Sequence, residues 1–561
     1  MRRIGSRRPA PPRLCILAAM LMLAWGGNAT ATELATGIDG LSLRWDNTLR
    51  YNLGVRTEKA DPRILGNPTY DESDSKFARG DVVTNRLDLL TEIDANFRKQ
   101  AGLRISAAAW YDHAYDDRSV HTAVPGFASS YVGNRYNSGV ARYVNGPSGE
   151  LLDAFAWTSF KLGSTPWNLK IGRQTNYFGE GLLIAAHAVS YSQSPLDGVK
   201  AVTSPGIETK EVFLPEAQLY LKGQVTPSLT LMGQYFLGWH ESRLPYGGTY
   251  FAPADPFFEG PDRLPVAPNG ATLARAESLK PGKRGNWGIG AKLDVEAVES
   301  TFGAYYRQFN DYNPWFAPNL TGFVTIPGVG TVPTAYQLAY PTDVKLVGLS
   351  AAKVIGSVSA AADLSFRRGG ALNAAGISPV DNQGPRGDTW HAVVNGVYLM
   401  PSTRLWDTGT VIAELAYSRL AKVTSHAELY KSVGSAACMA PDGLPGGVAD
   451  DCSTKDYSAL AVIFSPSYLQ VMPSWDLDVP LSVNYGLHGN APSSGGGSGK
   501  ALSWSVGAKL TYAQRYEFSL QYADSSARSK YDPSGTVLVG GAGSVGTTDR
   551  GWLVFTFKAG F

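Results

Sequence analysis

The side chains best suited to chemistry are few and scattered. His113, His121, His187, His240, His391, His426 and His488 show no H-E-x-x-H pattern and no clustered ligand spacing, so no metal site is predicted. "GAGSVG" at 541–546 fits G-x-G-x-x-G on paper, yet it precedes a strand rather than a helix and reads as a glycine-rich loop. "SSGGGSG" at 493–499 holds Ser498 without the strand–turn–helix of a nucleophile elbow. No catalytic residue and no cofactor are expected. Cys438 and Cys452 bracket "CMAPDGLPGGVADDC". A disulfide there would close a loop of about 15 residues, worth roughly 3 kcal/mol in the entropic picture; two free thiols or a metal pair are the alternatives.

The charged side chains are more regular. In "LSLRWDNTLRYNLGVR" (41–56), Arg44, Asp46 and Arg50 alternate with Leu43, Trp45, Leu49 and Tyr51. In "RLDLLTEIDANFRK" (86–99), Arg86, Asp88, Glu92, Asp94 and Arg98 oppose Leu87, Leu89, Ile93 and Phe97, and Arg104 follows in "LRISAAAWYD". Charge on one face and apolar residues on the other, with period two, describe long strands whose faces meet different solvents. Mixed signs on three neighbouring strands could brace a wall as an ion-pair ladder, or form a charged track that orients solutes. A solvated wall with little selectivity is the plainer alternative.

The same periodicity recurs along the chain, in "LTLMGQYFLGW", "NWGIGAKLDVEA", "DVKLVGLSAAKVIG" and "LSWSVGAKLTY", for a total of about 18 strands. Weaker segments include "YSALAVIFSPSYLQV", which contains Pro466. The connections test the assignment independently. Short links at 98–102, 163–166, 226–228, 298–300, 355–357, 400–407, 472–477 and 513–514 alternate strictly with long ones at 57–81, 113–150, 175–215, 241–284, 310–342, 369–388, 419–456, 489–500 and 525–549. A sandwich has no reason to keep every long loop on one side. An outer-membrane barrel does, with short periplasmic turns and long extracellular loops. The expected fold is therefore all-β: one transmembrane antiparallel barrel of about 18 strands. Aromatic girdles are expected from Tyr235, Trp239, Trp287, Trp504 and Tyr522 at one rim and from Phe97, Tyr516, Phe557 and Phe561 at the other. The chain ends "GWLVFTFKAGF", and its terminal Phe561, with Phe557 and alternating aromatics before it, resembles the signal read by the barrel-assembly machinery.

The start of the chain agrees. Five arginines precede an apolar run from Leu14 to Trp25 and a small-x-small site at 29–31, the layout of a signal peptide over 1–31, leaving 32–561 as the barrel. Taking those five arginines from the 50 basic residues leaves 45 against 48 acidic, a formal −3, so a nucleic-acid partner loses its motive. Charged residues are only 17% of the chain and glycine is 62 of 561, which suits a lipid-facing exterior. The expected location is the outer membrane of a Gram-negative bacterium, in contact with lipid and lipopolysaccharide.

One stretch stands apart: "LKIGRQTNYFGEGLLIAAHAVSYSQSPLDGVKAVTSPGIETKEVFLPEA", which runs from a strand end through the 175–215 loop. Residues 181–189 are mostly apolar and would not stay in water at an outer surface, so the loop is expected to fold into the lumen, with packing on neighbouring loops or contact with lipopolysaccharide as the alternatives. Arg173, Gln174 and Glu180 lie at one root of the loop and Glu208, Lys210 and Glu211 at the other, with Asp197 between. Opposite charges at the two roots could staple the loop by paired hydrogen bonds, or set a constriction. "GRQTNYFGE" (172–180), "SPLD" (194–197), "SPGIETKEVFLP" (204–215) and "DVKLVGLSAAKVIGSVSAAADLSFRR" (343–368) resemble the Domain of Unknown Function 1302 family of Gram-negative proteins, over nearly the whole mature chain. Phe178 stands where tryptophan is common and Ser194 where asparagine is common, which marks a divergent member. The resemblance implies an outer-membrane barrel and suggests traffic in hydrophobic or organic compounds. It also marks Gly172, Arg173, Gln174, Gly179, Glu180, Pro195, Asp197, Pro205, Gly206, Glu208, Lys210 and Glu211 as special positions.

The expected function is a channel for diffusion or uptake of small organic solutes, hydrophobic or amphipathic, narrowed by the 175–215 loop. Tyr250, Phe251, Phe257 and Phe258 could give such solutes a landing surface, though loop packing explains them equally. A structural or adhesive barrel is the alternative. An outer-membrane hydrolase would need a histidine with serine or aspartate on adjacent strands, and no such set stands out.

Overall fold

Strands of eight to eighteen residues, each apolar on one face, close into a single barrel. The computed structural model describes residues 32–256, 260–533 and 535–561, so the predicted signal peptide over 1–31 and the pair Phe257 and Phe258 lie outside the described residues. In chain order the staves are β1 Leu41–Arg56, β2 Val82–Phe97, β3 Ala101–Asp112, β4 Ser148–Leu162, β5 Thr165–Gln174, β6 Glu216–Gln224, β7 Leu229–Phe236, β8 Trp287–Val295, β9 Ser300–Phe309, β10 Val344–Ile355, β11 Val358–Ala371, β12 Arg386–Met400, β13 Thr408–Ser425, β14 Asp456–Met472, β15 (Trp475–Asp478 with Leu481–His488), β16 Leu502–Tyr512, β17 Tyr516–Ser526 and β18 Trp552–Gly560. The 20 segments of the sheet make 18 staves, because β15 is in two pieces and Thr32–Leu34 is a short strand added beside β1. Each stave pairs antiparallel with its neighbour in sequence. β1 closes on β18 from Thr48↔Gly560 to Arg56↔Trp552, and the backbones of Asn47 and Phe561 exchange two further hydrogen bonds. Closure leaves no sheet edge in the ring, as hydrocarbon requires.

Side-chain alternation sets the two faces. Glu414 of β13 is fully buried while its neighbour Leu415 is 47% exposed, and outward Trp45, Ile93, Ile289, Val347, Leu364 and Leu520 continue the apolar exterior round the ring. Strands that expose leucine, isoleucine and valine outward and bury charge inward belong in lipid. The break in β15 at 479–480 faces Pro466 of β14; neither Pro466 nor Pro480 has an N–H to give the ladder, so the sheet bulges there instead of pairing. The weak "YSALAVIFSPSYLQV" segment is nonetheless a full stave.

Short turns and long loops alternate throughout, and the loop from Gln174 to Glu216 keeps the predicted bounds. Three loops are shorter than expected, 113–147, 372–385 and 426–455, the last two because β11, β12 and β13 run on past the barrel wall as paired strands. Two aromatic assignments need correction. Trp239 is buried under the loops, stacked on Tyr312 and edge-on to Tyr340, and belongs to no girdle. Tyr250 is 1% exposed, packed on Phe77 and Phe251, so it fills the loop cap and offers no landing surface.

Candidate functional site

The loop over 175–215 bonds to inward-facing side chains on both sides of the ring. Its roots are clasped by amides: Gln174 Nε2 donates to the Gln218 carbonyl (3.2 Å) and Gln218 Nε2 donates back to the Gln174 carbonyl (2.7 Å). Gly172 and Gly179 let the chain turn out of β5. Both have positive φ, and a Cβ would lie 2.3 Å from the Ala154 carbonyl at the first and 2.6 Å from Asp363 at the second. Arg173 makes no ion pair among the described residues, and its buried Nε has no partner. The expected pairing of charges at the two roots is therefore absent at Arg173.

From Gly179 to Ser192 the wall supplies the charge. Asp363 on β11 accepts the N–H groups of Glu180 (2.9 Å), Gly181 (3.3 Å) and Val189 (3.1 Å). Glu414 on β13 accepts three in succession, from Leu182 (2.6 Å), Leu183 (3.0 Å) and Ile184 (2.5 Å). Asn395 on β12 bridges Glu414 and the Glu180 carbonyl. Two buried arginines take the carbonyls. Arg367 donates to Ala186 and Ala188, and Arg307 donates to Val189, Tyr191 and Ser192. Glu180 itself pairs with Lys292 on β8 at 2.6 Å.

His187 adds a neutral chain of hydrogen bonds. Its Nε2 is 2.9 Å from the Gly496 carbonyl, to which it can only donate, so its Nδ1 must accept from His391 Nδ1 at 3.0 Å. His391 Nε2 then accepts from the Thr389 hydroxyl at 2.8 Å. Burial, with the Arg367 charge behind it, lowers His187 from 6.5 to about 4, so it stays neutral in this arrangement.

Past Ser194 the loop carries its own charge. Asp197 accepts the Lys200 N–H at the start of the helix Gly198–Thr203 and pairs with Arg243; Lys200 and Arg243 both reach Glu150 of β4, at 2.6 and 2.9 Å. Glu211 holds Arg50 of β1 through two contacts, at 3.0 and 3.3 Å, and Arg50 also donates to the Gly206 carbonyl. Lys210 pairs with Glu92 of β2 and with Glu208 (2.9 Å), and Glu208 also meets Lys558 of β18. Burial would raise Glu208, but Lys210 holds it below 4.5; burial would lower Lys210, but Glu92 and Glu208 hold it above 10.5.

The predicted charged wall divides. Arg86 pairs with Asp88, and separately Arg104 contacts Glu92, Asp94 and Asp153. Arg44 and Asp46 pair with each other near the short-turn rim, where Arg44 is largely exposed. Arg98 is a correction: it sits in the β2–β3 turn at φ 51° and reaches Asp39, outside the wall. Cys438 and Cys452 are disulfide-bonded within a long loop. Phe557 packs outward against Phe518 and Tyr516. Asp363, Arg307, Arg367, Asn395 and Glu414 were not anticipated; all are buried polar residues at inward positions, Asp363 and Arg367 on the same strand. No group of three metal-ligating side chains occurs among the described residues. Cavities of about 630, 690 and 500 Å³ adjoin the loop.

Residues 12–561 match the family described as "Protein of unknown function (DUF1302)". The chain belongs to the DUF1302 family. A search of curated proteins finds no match. Among solved structures the chain is similar to the outer membrane protein OpdK from Pseudomonas aeruginosa, at 10% identity and TM-score 0.39, covering 92% of this chain and 98% of that one. It is also similar to OccAB3 from Acinetobacter baumannii (9%, TM-score 0.42, 92% and 99% covered) and to a BenF-like porin from Pseudomonas fluorescens Pf-5 (11%, TM-score 0.39, 92% and 99% covered). This DUF1302 member owes its barrel assignment to its own ladder of strand pairs.

Proposed function

We propose that this protein is an outer-membrane channel of a Gram-negative cell for small organic solutes, hydrophobic or amphipathic, with a lumen narrowed by residues 175–215. One observation carries the reading. The first half of that loop is bonded to β9, β11, β12 and β13, and the second half to β1, β2, β4 and β18, on the other side of the ring. An 18-strand ring has room for an aqueous lumen unless something fills it, and a segment tied to both sides fills part of it. The long loops then face outward, the short turns and both termini face the periplasm, and Phe557 and Phe561 serve barrel assembly. Mechanism is binding and diffusion, with no covalent step.

The test is single-channel recording from the refolded protein in a planar bilayer. Wild type should give small, steady steps. Replacing 181–189 with a short glycine–serine linker should raise conductance several-fold while the barrel keeps its heat-dependent shift on gels. Silence from both folded proteins would remove the channel reading and leave a structural barrel.

A further inference from the structure

We propose that solutes cross along the wall of β14–β17, and that this wall favours uncharged solutes that form hydrogen bonds and present an apolar face. The inference rests on the channel reading above. Its basis is an uneven division of charge inside the ring.

On β1, β2 and β4 the inward charges are already spent. Arg50, Arg86, Asp88 and Glu92 are each at most 6% exposed, and their partners are one another, Arg104, or the loop's own Glu211 and Lys210. Glu150 is bound by Lys200 and Arg243. A solute on that side meets the covering loop, with the wall charges behind it.

Between β13 and β18 the wall facing the cavity is bare and largely neutral. Strand register puts Ala461 beside Asn484, Asn484 beside Ser503, and Ser482 beside Ser505, one continuous inward surface that Gln521 extends. Ser482 and Ser505 share a hydrogen bond of 2.7 Å. Among the described residues, the side-chain amides of Asn484 and Gln521 have no hydrogen-bond partner, so their donors and acceptors are open to a guest. These residues line the cavity of about 630 Å³, closed opposite by Leu183, Val202 and Ile207 of the loop. Only two carboxylate or guanidinium groups touch it. Arg550 spends its guanidinium on the carbonyls of Tyr250 and Ala252, both at 2.8 Å. Asp524 alternates with inward Ala523 and Ser525 and accepts the Ser525 N–H at 2.7 Å. Asp476, Asp478, Lys509 and Glu517, also inward by register, lie toward the short-turn rim, where Asp478 and Lys509 pair at 3.0 Å.

Such a surface treats ions and neutral solutes differently. Along Ala461, Ser482, Asn484, Ser503, Ser505 and Gln521 an ion leaving water finds no opposite charge to offset its lost hydration; Asp524, at the edge of the cavity, is its one unpaired carboxylate among the described residues. A hydroxyl, ether or amide exchanges water for the serine hydroxyls and the open amides at little net change. An apolar face then gains contact with Ala461 and the loop's Leu183, Val202 and Ile207. The two requirements together describe an uncharged amphipathic molecule.

Three probes of one size decide it: uptake of radiolabelled methyl glucoside (neutral), gluconate (anionic) and glucosamine (cationic) into phosphatidylcholine vesicles holding the full-length mature barrel. Methyl glucoside should enter at least about fivefold faster than either ion, and phenyl glucoside, with a larger apolar face, should compete with it. Asn484→Asp should slow gluconate further and speed glucosamine; Ser503→Asp serves the same purpose if the first variant does not fold. Equal rates for the three wild-type probes, or ion rates untouched by the new carboxylate in a folded variant, would overturn the inference and leave a channel standing. Entry of no probe through folded wild type would overturn the channel reading itself.

Discussion

The two halves of the 175–215 loop are fixed by opposite devices. From Gly179 to Ser192 the loop offers mainly backbone, and wall side chains bring the charge: Asp363 and Glu414 take its N–H groups, while Arg307 and Arg367 take its carbonyls. Past Asp197 the loop offers carboxylates and ammonium groups, and the wall answers with the opposite sign. The difference follows from composition. An apolar segment in a buried place still carries a donor and an acceptor at each residue, and without strand neighbours those groups need partners from elsewhere. A charged segment can be placed by its side chains alone. The first device therefore depends mainly on wall residues, with Glu180 and His187 as loop side chains that join it; the second depends on both.

Breaking the second device should cost most at its driest contact. Glu211→Ala leaves Arg50 buried with Asp88, 3.9 Å from its Nε, and Glu208 as its acidic neighbours. Removing one member of a buried pair costs about 3–5 kcal/mol. Hydrogen exchange at 204–212 should accelerate, while amides 180–189 keep their protection. Equal loosening of both halves would show that they form one unit, and the comparison would fall.

Acid should separate the halves in the other direction. The folded chain binds the His187 proton more weakly than an unfolded chain does, because its value is lowered from 6.5 to about 4. Its share of the anchoring is complete above pH 6.5 and is lost as pH falls toward 4, by about 3 kcal/mol in all. In the second half, Glu208 is held below 4.5 and Lys210 above 10.5, so their pair persists from below pH 4.5 to beyond pH 10.5. At pH 5 protection should fall at 185–189 alone, after correction for intrinsic exchange rates. His187→Gln should flatten that response. A loss centred on 208–211 at pH 5 would contradict the assignment.

How much of this was written in the sequence follows the same division. The barrel was legible because period-two patterns and the alternation of links are local, repeated signals; even Pro466 hides only one stave. Loop ends were misjudged where β11–β13 extend into water as paired strands, since hydrophobic alternation fades outside lipid while pairing does not. Within the site, Asp197, Glu208, Lys210 and Glu211 could be named from the loop itself, because charge in a long loop is visible. Arg243, the partner of Asp197, could not, nor could Glu150, which holds Arg243 and Lys200, both lying outside the loop in sequence. Asp363 in "SAAADLSF" and Glu414 in "TVIAELAYS" were passed over as incidental, because each is one charge in a locally uncharged stretch. The available signal was parity: both fall on the inward phase, where a lone charge without a cross-strand counter-ion needs a partner from elsewhere. Arg173 taught the reverse, since a charge next to a loop root need not pair with the loop at all.

The smallest effect belongs to the most exposed contact. Lys210 is 36% exposed, and Glu92 keeps Arg104 when Lys210 is lost. Lys210→Met should therefore cost under about 1 kcal/mol, a surface-like value, and neither half should unfold. What should change is salt dependence. In wild type, exchange at 208–211 should rise with ionic strength between 0.05 and about 1 M, as the screening length shrinks to about 3 Å, and in Lys210→Met that slope should flatten. Amides 180–184, bonded directly to Asp363 and Glu414 in a buried place, should show no slope in either protein. A salt response there would mean that water and ions reach the carboxylates, and that the backbone-tethered half is no drier than the ion-paired one.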